Sequence, residues 1–381
     1  MTQMERSPPT PCLQLRPRAL ARDIGGLSSL NREGTKVMTC TCCIVPGDVL
    51  MRLSHDRKLS AKIRKAMFDT AQISHDIREL RCKALELTRT ARAHSFGVAE
   101  ELAPSPAVTA YDCKHLRVLP GLPVANPGAS SDATVKRAFN EATKVAQFYK
   151  EVFDRNSIDN QGMTIMSSVH YGSNYNNALW NGTQMVYGDG DGKLFLDFTN
   201  GNDVIGHELT HGVTQHSLGL NYENEAGGLN ESMSDCFGSM FRQWEGDQDV
   251  NDADWLIGHD LMGPDAKARG YTCLRDMSDP GAQHCLAPQP TQYSQITPGM
   301  DPHYTSGPPN LAFCTACKAY GGKSWERVGQ VWYDALTTFG PAPDLGMTEF
   351  ANRTRQVAVT KYRGDSAVAD AVDQGWKKVG L

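Results

Sequence analysis

From Asp56 to about Arg92, apolar residues return every three or four positions among many charges, through KLSAKIRKAMFDTAQISHDIRELRCKALELT. That period predicts a helix with one covered face. SFGVAEELAPSPAVTAYDCKH follows, and reads as a proline-bearing linker entering a strand. A second helical period runs through SSDATVKRAFNEATKVAQFYKEVFDR, with Ser131 or Asp132 placed to cap its first turn. Between 163 and 200 the pattern changes. MTIMSSVHY alternates and is rich in strand formers, while GTQMVYGDGDGKLFLDF reads as two short apolar runs around a turn, a hairpin. From Asp203 onward the helical period returns, first in DVIGHELTHGVTQHSLG with Asp203 as N-cap and Gly219 as the stop. It continues in LNESMSDCFGSMFRQW, KSWERVGQVWYDALTTF, MTEFANRTRQVAVTKY and SAVADAVDQGWKKV. The order is a helical leader, a mixed α/β segment and a helical half.

Composition narrows the function classes. The 381 residues suffice for two domains, and the net charge of −5 argues against nucleic-acid or polybasic membrane binding. No apolar run approaches the length of a membrane span. A monomer is expected. Residues 1–37 are rich in Pro, Arg and Ser and read as a poorly ordered extension. No uninterrupted apolar stretch follows their basic residues, so no standard signal peptide is read there. On that ground the chain is expected to be cytoplasmic or exported by a non-standard route. The eleven cysteines are unevenly spaced. Cys314 and Cys317 fall in an apolar helical pattern and read as buried thiols. Cys273 and Cys285 lie across a short loop and can close if the protein is exported.

The chemistry begins at HELTH, His207 to His211. Two histidines four apart on a helix face one way and can share an ion, with Glu208 beside them as a general base. Such a match arises by chance in roughly two of every hundred chains of this length, so it needs support. Glu231, in LNESMSD, would complete a His₂Glu set and leave one position open, as catalytic zinc requires. Asp235, one turn further, is placed to accept the N–H of a ligand histidine. Gly227-Gly228 falls in the interval that must let the second helix fold back over the first.

The joint pattern HELTHGVTQHSLGLNYENEAGGLNESMSD resembles the active-site segment of the thermolysin family of zinc metalloendopeptidases. YNNALWNGTQMVYGDGDG, LRDMSDP and HYTSGPPN resemble other active-site segments of that family, and the likeness runs from about residue 108 to the C-terminus. It implies an α+β, two-domain fold. A β-rich N-terminal half (96–205) would precede an all-helical C-terminal half (206–381), with the HExxH helix at the cleft floor. It implies one catalytic Zn²⁺ held by His207, His211 and Glu231, with Glu208, Tyr222 and His303 catalytic. It further implies that Asn177, Ala178 and Arg275 hold peptide backbone, and that Asp235, Asn230 and Asp301 orient the histidines. Phe195, Val204, Ile257 and Leu274 would line the pocket after the scissile bond, favouring Leu, Ile, Phe or Val there. The substrates would be proteins or peptides, and secretion is the family expectation.

Two departures are visible. Where the family carries acids for a double Ca²⁺ site, this chain has Arg242, Leu256 and His259, with Asp203 and Asp254 remaining. A double site needs several carboxylates, so its loss is expected, with Arg242 paired to Asp203 or Asp254. There is also no large propeptide domain. CCIVPGDVLMRLSHD resembles the short propeptide of the protealysin-like branch, with Gly47 in place of its second proline, and residues 38–95 are read as an inhibitory segment of a proenzyme. A sharper expectation has Cys42 or Cys43 reaching the zinc, against the plainer one of ordinary reduced thiols. Two competing functions are a catalytically inactive zinc- or peptide-binding protein of the same fold and a non-peptidase zinc hydrolase. Glu208, Tyr222 and His303 argue against the first, and Asn177, Ala178 and Arg275 against the second.

Overall fold

The computed structural model describes residues 43–92 and 107–381. The 1–37 extension, Cys40, Cys42 and most of the proline-bearing linker lie outside the described residues. The helical leader is a hairpin of α1 (Gly47–His55) and α2 (Ala61–Arg92). Val49, Leu50 and Leu53 of α1 are buried in one cluster with Ile63, Met67 and Ala71 of α2.

The mixed segment contains β1 (Val108–Asp112), β2 (Leu122–Pro123), α3 (Ala133–Phe153), β3 (Ile165–Val169), β4 (Ala178–Trp180) and β5 (Met185–Tyr187). They form a five-stranded sheet in the order β2-β1-β3-β5-β4, parallel at its centre and antiparallel at both edges. α3 packs on β1 and β3, and Asp132 is its N-cap, accepting from the backbone of Thr134 and Val135 at 2.9 and 3.3 Å.

The expected hairpin across GDGDG does not form. β5 pairs instead with β4 before it, Leu179 facing Val186. Asn181 Oδ1 closes that turn by accepting from Thr183 and Gln184 at 3.0 and 2.9 Å. After β5, Asp191 Oδ1 accepts from Lys193 and Leu194 and bends the chain away, so Phe195 bridges to Met262.

The helical half opens with α4 (Asn202–Gln215) and α5 (Asn224–Glu245), which pack closely. Their approach depends on Gly206 and Gly238. A Cβ on Gly238 would lie 2.5 Å from the Asp203 carbonyl, and one on Gly206 would lie 3.1 Å from Gly238 Cα. The Gly227-Gly228 pair is not in the connection, as its position suggested, but inside α5. A side chain there would strike Pro302 or Thr305. The reversal is made instead by Gly219 (φ +64°), whose N–H reaches the Thr214 carbonyl at 2.8 Å, and by Asn224 (φ +53°). Asp203 does not cap α4 either. The N-cap is Gly201, and Asp203 is buried inside the first turn, accepting from Gly258 N–H at 2.6 Å.

β6 (Leu256–Ile257) and β7 (Arg275–Asp276) form a short ladder that flanks α6 (Pro264–Lys267). The remainder is α7 (Pro302–Thr305), α8 (Gly307–Tyr320), α9 (Val328–Thr337), α10 (Met347–Lys361) and α11 (Ser366–Lys378). Trp332 and Trp376 stack at 5.8 Å among Phe313 and Phe350. Each such ring removed from water contributes about 1.5–3 kcal/mol. Cys314 and Cys317 are buried thiols on α8.

Candidate active site

α4 carries His207, Glu208 and His211, all buried. The two Nε2 atoms are 3.0 Å apart. α5 brings Glu231 against them, Oε2 at 3.5 Å from His207 Nε2 and Oε1 at 3.4 Å from His211 Nε2. Donors about 2.0–2.1 Å from a tetrahedral ion are about 3.3 Å from one another, so this triangle has the right size for zinc. Neither Glu231 oxygen accepts a hydrogen bond although the residue is fully buried. A buried carboxylate without donors is costly, and a cation among these three donors removes that cost. Nitrogen, nitrogen and carboxylate is also a donor set that zinc accepts. Burial pushes the Glu231 carboxyl up to about 8 against the pull of His303 and Arg275. Burial likewise pushes His207 down to about 4 against the pull of Asp235, which keeps its imidazole neutral as a ligand must be.

The far nitrogens of both rings are anchored. Asp235 Oδ1 lies 2.8 Å from His207 Nδ1. The same carboxylate accepts Arg275 Nε and Nη2 at 2.8 and 2.7 Å, and Asn310 Nδ2 at 2.8 Å. Burial would raise the Asp235 carboxyl, but Arg275 and His207 hold it well below the usual range, so it stays ionised. His211 Nδ1 meets both Asn230 Oδ1 and Ser234 Oγ at 2.9 Å. Ser234 was not picked out from the sequence, although it lies three residues past Glu231 on the same helix. Asn310 carries no local signal at all.

Tyr222 and His303 converge beside the triangle, Oη and Nε2 being 3.5 Å apart. Asp301 Oδ1 holds His303 Nδ1 at 2.7 Å. Burial would lower His303, but Glu231 and Asp301 raise it to about 9. Glu208 Oε2 accepts the Trp180 N–H of β4 at 2.8 Å.

A length of the chain's own backbone lies across these groups. Cys43 C=O is 2.6 Å from His303 Nε2. Ile44 N–H donates to the Ala178 carbonyl at 3.2 Å, and Ile44 C=O accepts Arg275 Nη1 at 3.0 Å. Asn177 clasps Val45, accepting its N–H at 3.0 Å and donating to its C=O at 3.1 Å. Cys43 bridges Leu179 in the antiparallel sense, so residues 43–45 extend the sheet beyond β4. Ile44 is fully buried in the hydrophobic cluster that holds Phe195, Val204, Ile257 and Leu274. The expectation of a thiol on the metal is not met at Cys43. Its side chain packs among Ile73, Cys113, Tyr171, Tyr175 and Leu179, and burial raises the thiol to about 11. The carbonyl, not the sulfur, faces His303, because in an extended strand the carbonyl lies in the plane of the hydrogen-bond ladder while the side chain stands out of it.

Further along the helix pair, Arg242 Nη1 lies 2.8 Å from Asp260 and 3.6 Å from Asp203, and Nη2 lies 3.7 Å from Asp254. Asp260, the nearest partner, was not expected from the sequence. The Cys273 and Cys285 sulfurs lie 3.7 Å apart. No helix among the described residues is long and apolar enough to cross a membrane.

Comparison with known proteins agrees with this geometry. Residues 126–215 match the family model of the thermolysin metallopeptidase catalytic domain, and residues 218–381 that of its alpha-helical domain. An extracellular metalloprotease of Pectobacterium carotovorum is 40% identical over 282 residues, 71% of this chain and 80% of that protein. A thermolysin of Alicyclobacillus acidocaldarius is 37% identical over 71% of this chain and 50% of its own length. The solved precursor of protealysin from Serratia proteamaculans superposes with a TM-score of 0.76 at 35% identity, covering 89% of this chain and 99% of that one. With both family models matched in sequence order and the histidine–glutamate triangle assembled between α4 and α5, the chain belongs to the thermolysin family of zinc-dependent metallopeptidases.

Proposed function

We propose that this metalloendopeptidase is made as a proenzyme and cuts peptide bonds on the amino side of Leu, Ile, Phe or Val. The single observation that carries the reading is the grip on residues 43–45 by Asn177, Ala178, Arg275 and His303, beside the His207–His211–Glu231 triangle. A peptide held in that register would set one carbonyl at His303 and the next at Arg275. The side chain between them would enter a pocket that we assign to Phe195, Val204, Ile257 and Leu274, which are buried in the same extended core as Ile44.

In this reading His207, His211 and Glu231 hold zinc, which supplies Lewis-acid polarisation of the peptide carbonyl and of water. Glu208 takes the proton from the attacking water and returns it to the leaving amine. Tyr222 Oη and His303 Nε2 donate to the oxygen on which charge develops, where preorganised donors count most. Asp301 fixes the His303 ring, and Asp235 and Asn230 fix the ligand histidines. Asn177, Ala178 and Arg275 hold the backbone in one register, which lowers the entropy cost of reaching the transition state.

Residues 38–95 are the inhibitory part, with residues 43–45 held in the cleft until the segment is removed. The mature enzyme would consist of a mixed α/β domain ending near 205 and a helical domain after it. The same reading includes loss of the double calcium site, and it is supported by the Arg242 guanidinium lying among Asp203, Asp254 and Asp260. Export is part of the same proposal, because a relative is named an extracellular metalloprotease. In an oxidising compartment Cys273 and Cys285 would close, which a loss of two hydrogens in the intact mass would report.

The test is a cleavage profile on a peptide library, run on the full chain and on protein freed by proteolysis of residues before 107. The freed protein should cut faster, and before large apolar residues. A zinc-loaded, freed protein inert on every peptide would overturn the reading.

A further inference from the structure

Away from this cleft, the carboxyl ends of three neighbouring strands bring together a second set of metal-ligating side chains. β1 and β3 run parallel, and β5 runs parallel to β3. His115 follows β1 by three residues, His170 follows β3 directly, and Asp189 follows β5 by two. His115 N–H donates to the His170 carbonyl at 2.9 Å, which ties the first two loops. We propose that His115, His170 and Asp189 form a second divalent-metal site of the zinc class.

Three observations carry this. The first is the donor triangle. Asp189 Oδ2 lies 3.1 Å from His115 Nδ1, and Asp189 Oδ1 lies 2.8 Å from His170 Nδ1. All three donor atoms are within 4.8 Å of one another, the same clustering that His207, His211 and Glu231 meet. Nitrogen, nitrogen and carboxylate is again a donor set suited to zinc.

The second is the support behind a ligand. His170 turns its Nε2 to Asp132 Oδ2 at 3.0 Å. Asp132 is itself fixed as the N-cap of α3. A histidine that ligates through one nitrogen and donates from the other to an anchored carboxylate is the arrangement metal sites use to fix ring and tautomer. His207 and Asp235 repeat it in the cleft.

The third is charge and access. Asp112, Asp132 and Asp189 surround the site, with Lys114 bound to Asp112 at 2.7 Å as the cation beside them. The His115 side chain is 60% exposed and His170 15%, so water can complete the coordination from outside. Both histidines also keep left-handed backbones, φ +58° and +52°. Such conformations cost free energy and persist where the surroundings fix them. A bound ion would staple the loops after β1, β3 and β5, and stabilise the fold by binding only its folded form.

The competing arrangement is an imidazolium at His170 bridging Asp132 and Asp189 with no metal. The two are separated by zinc titration of the full chain, read by calorimetry and by metal analysis after desalting. Wild type should bind two zinc ions. His115→Asn and His170→Asn, which keep a residue tolerant of positive φ, should each remove one binding event while peptidase activity of the processed protein is kept. His207→Asn should remove the other event and the activity. Zinc beyond the first equivalent should raise the unfolding temperature of wild type but not of the two loop variants. One zinc in wild type, or two zincs undiminished in both loop variants, would overturn the proposal, and neither result bears on the peptidase reading.

Discussion

The packed helices α4 and α5 carry two charge clusters that solve one problem in opposite ways. Near the start of α4, buried Asp203 meets Arg242 of α5, with Asp254 and Asp260 completing the shell. The chain supplies the cation there. One to two turns further, His207 and His211 face Glu231, which accepts no hydrogen bond. That cluster has donors for a cation and takes the cation from outside. The two are told apart by the partners of the buried carboxylates, not by the number of acids.

The largest break in this contrast should come from Glu231→Gln, which removes a metal donor. We expect zinc content of the cleft to fall and kcat/KM on a peptide to drop on the order of 10³-fold, about 4 kcal/mol of barrier. Next is Asp235→Asn. The His207–Asp235 contact of 2.8 Å is weakened, and zinc affinity should fall about 10–100-fold in competition with a chromogenic chelator. Smallest is Arg242→Met, which leaves Asp203 without its guanidinium. Discounted for the partial exposure of Arg242, the loss should be roughly 1–2 kcal/mol in chemical denaturation. Arg242→Glu sharpens the point. With the internal cation replaced by an acid, calcium should raise the unfolding temperature of that variant and leave wild type unchanged.

The metal triangle was legible because its information is local. His207 and His211 are four residues apart on one helix, and Glu231 and Asp235 are four apart on the next, so helical geometry fixes each pair's face. The Asp132 cap was legible for the same reason. What escaped was tertiary. Nothing near Asn310 or Asp260 says that they reach Asp235 or Arg242, because those contacts span 75 and 18 residues. The mispaired hairpin has a similar cause. MVY and LFLDF look like partners, yet Asn181 turns the chain before β5 and Asp191 turns it after, so β4 takes the pairing. The leader's long helix, α2, was readable from periodicity, whereas α1 precedes the segment in which that period was seen. That the Cys43 carbonyl rather than its thiol meets His303 depends on strand facing, which no spacing reveals.

The most direct test of the account sets processed wild type beside Glu208→Gln, measuring zinc content and peptide cleavage on the same samples. The account predicts equal zinc in both, with kcat/KM of the variant lower by on the order of 10³-fold, since Glu208 moves protons and holds no metal. A variant that cuts at the wild-type rate, or a wild type that carries zinc and cuts no peptide, would contradict it.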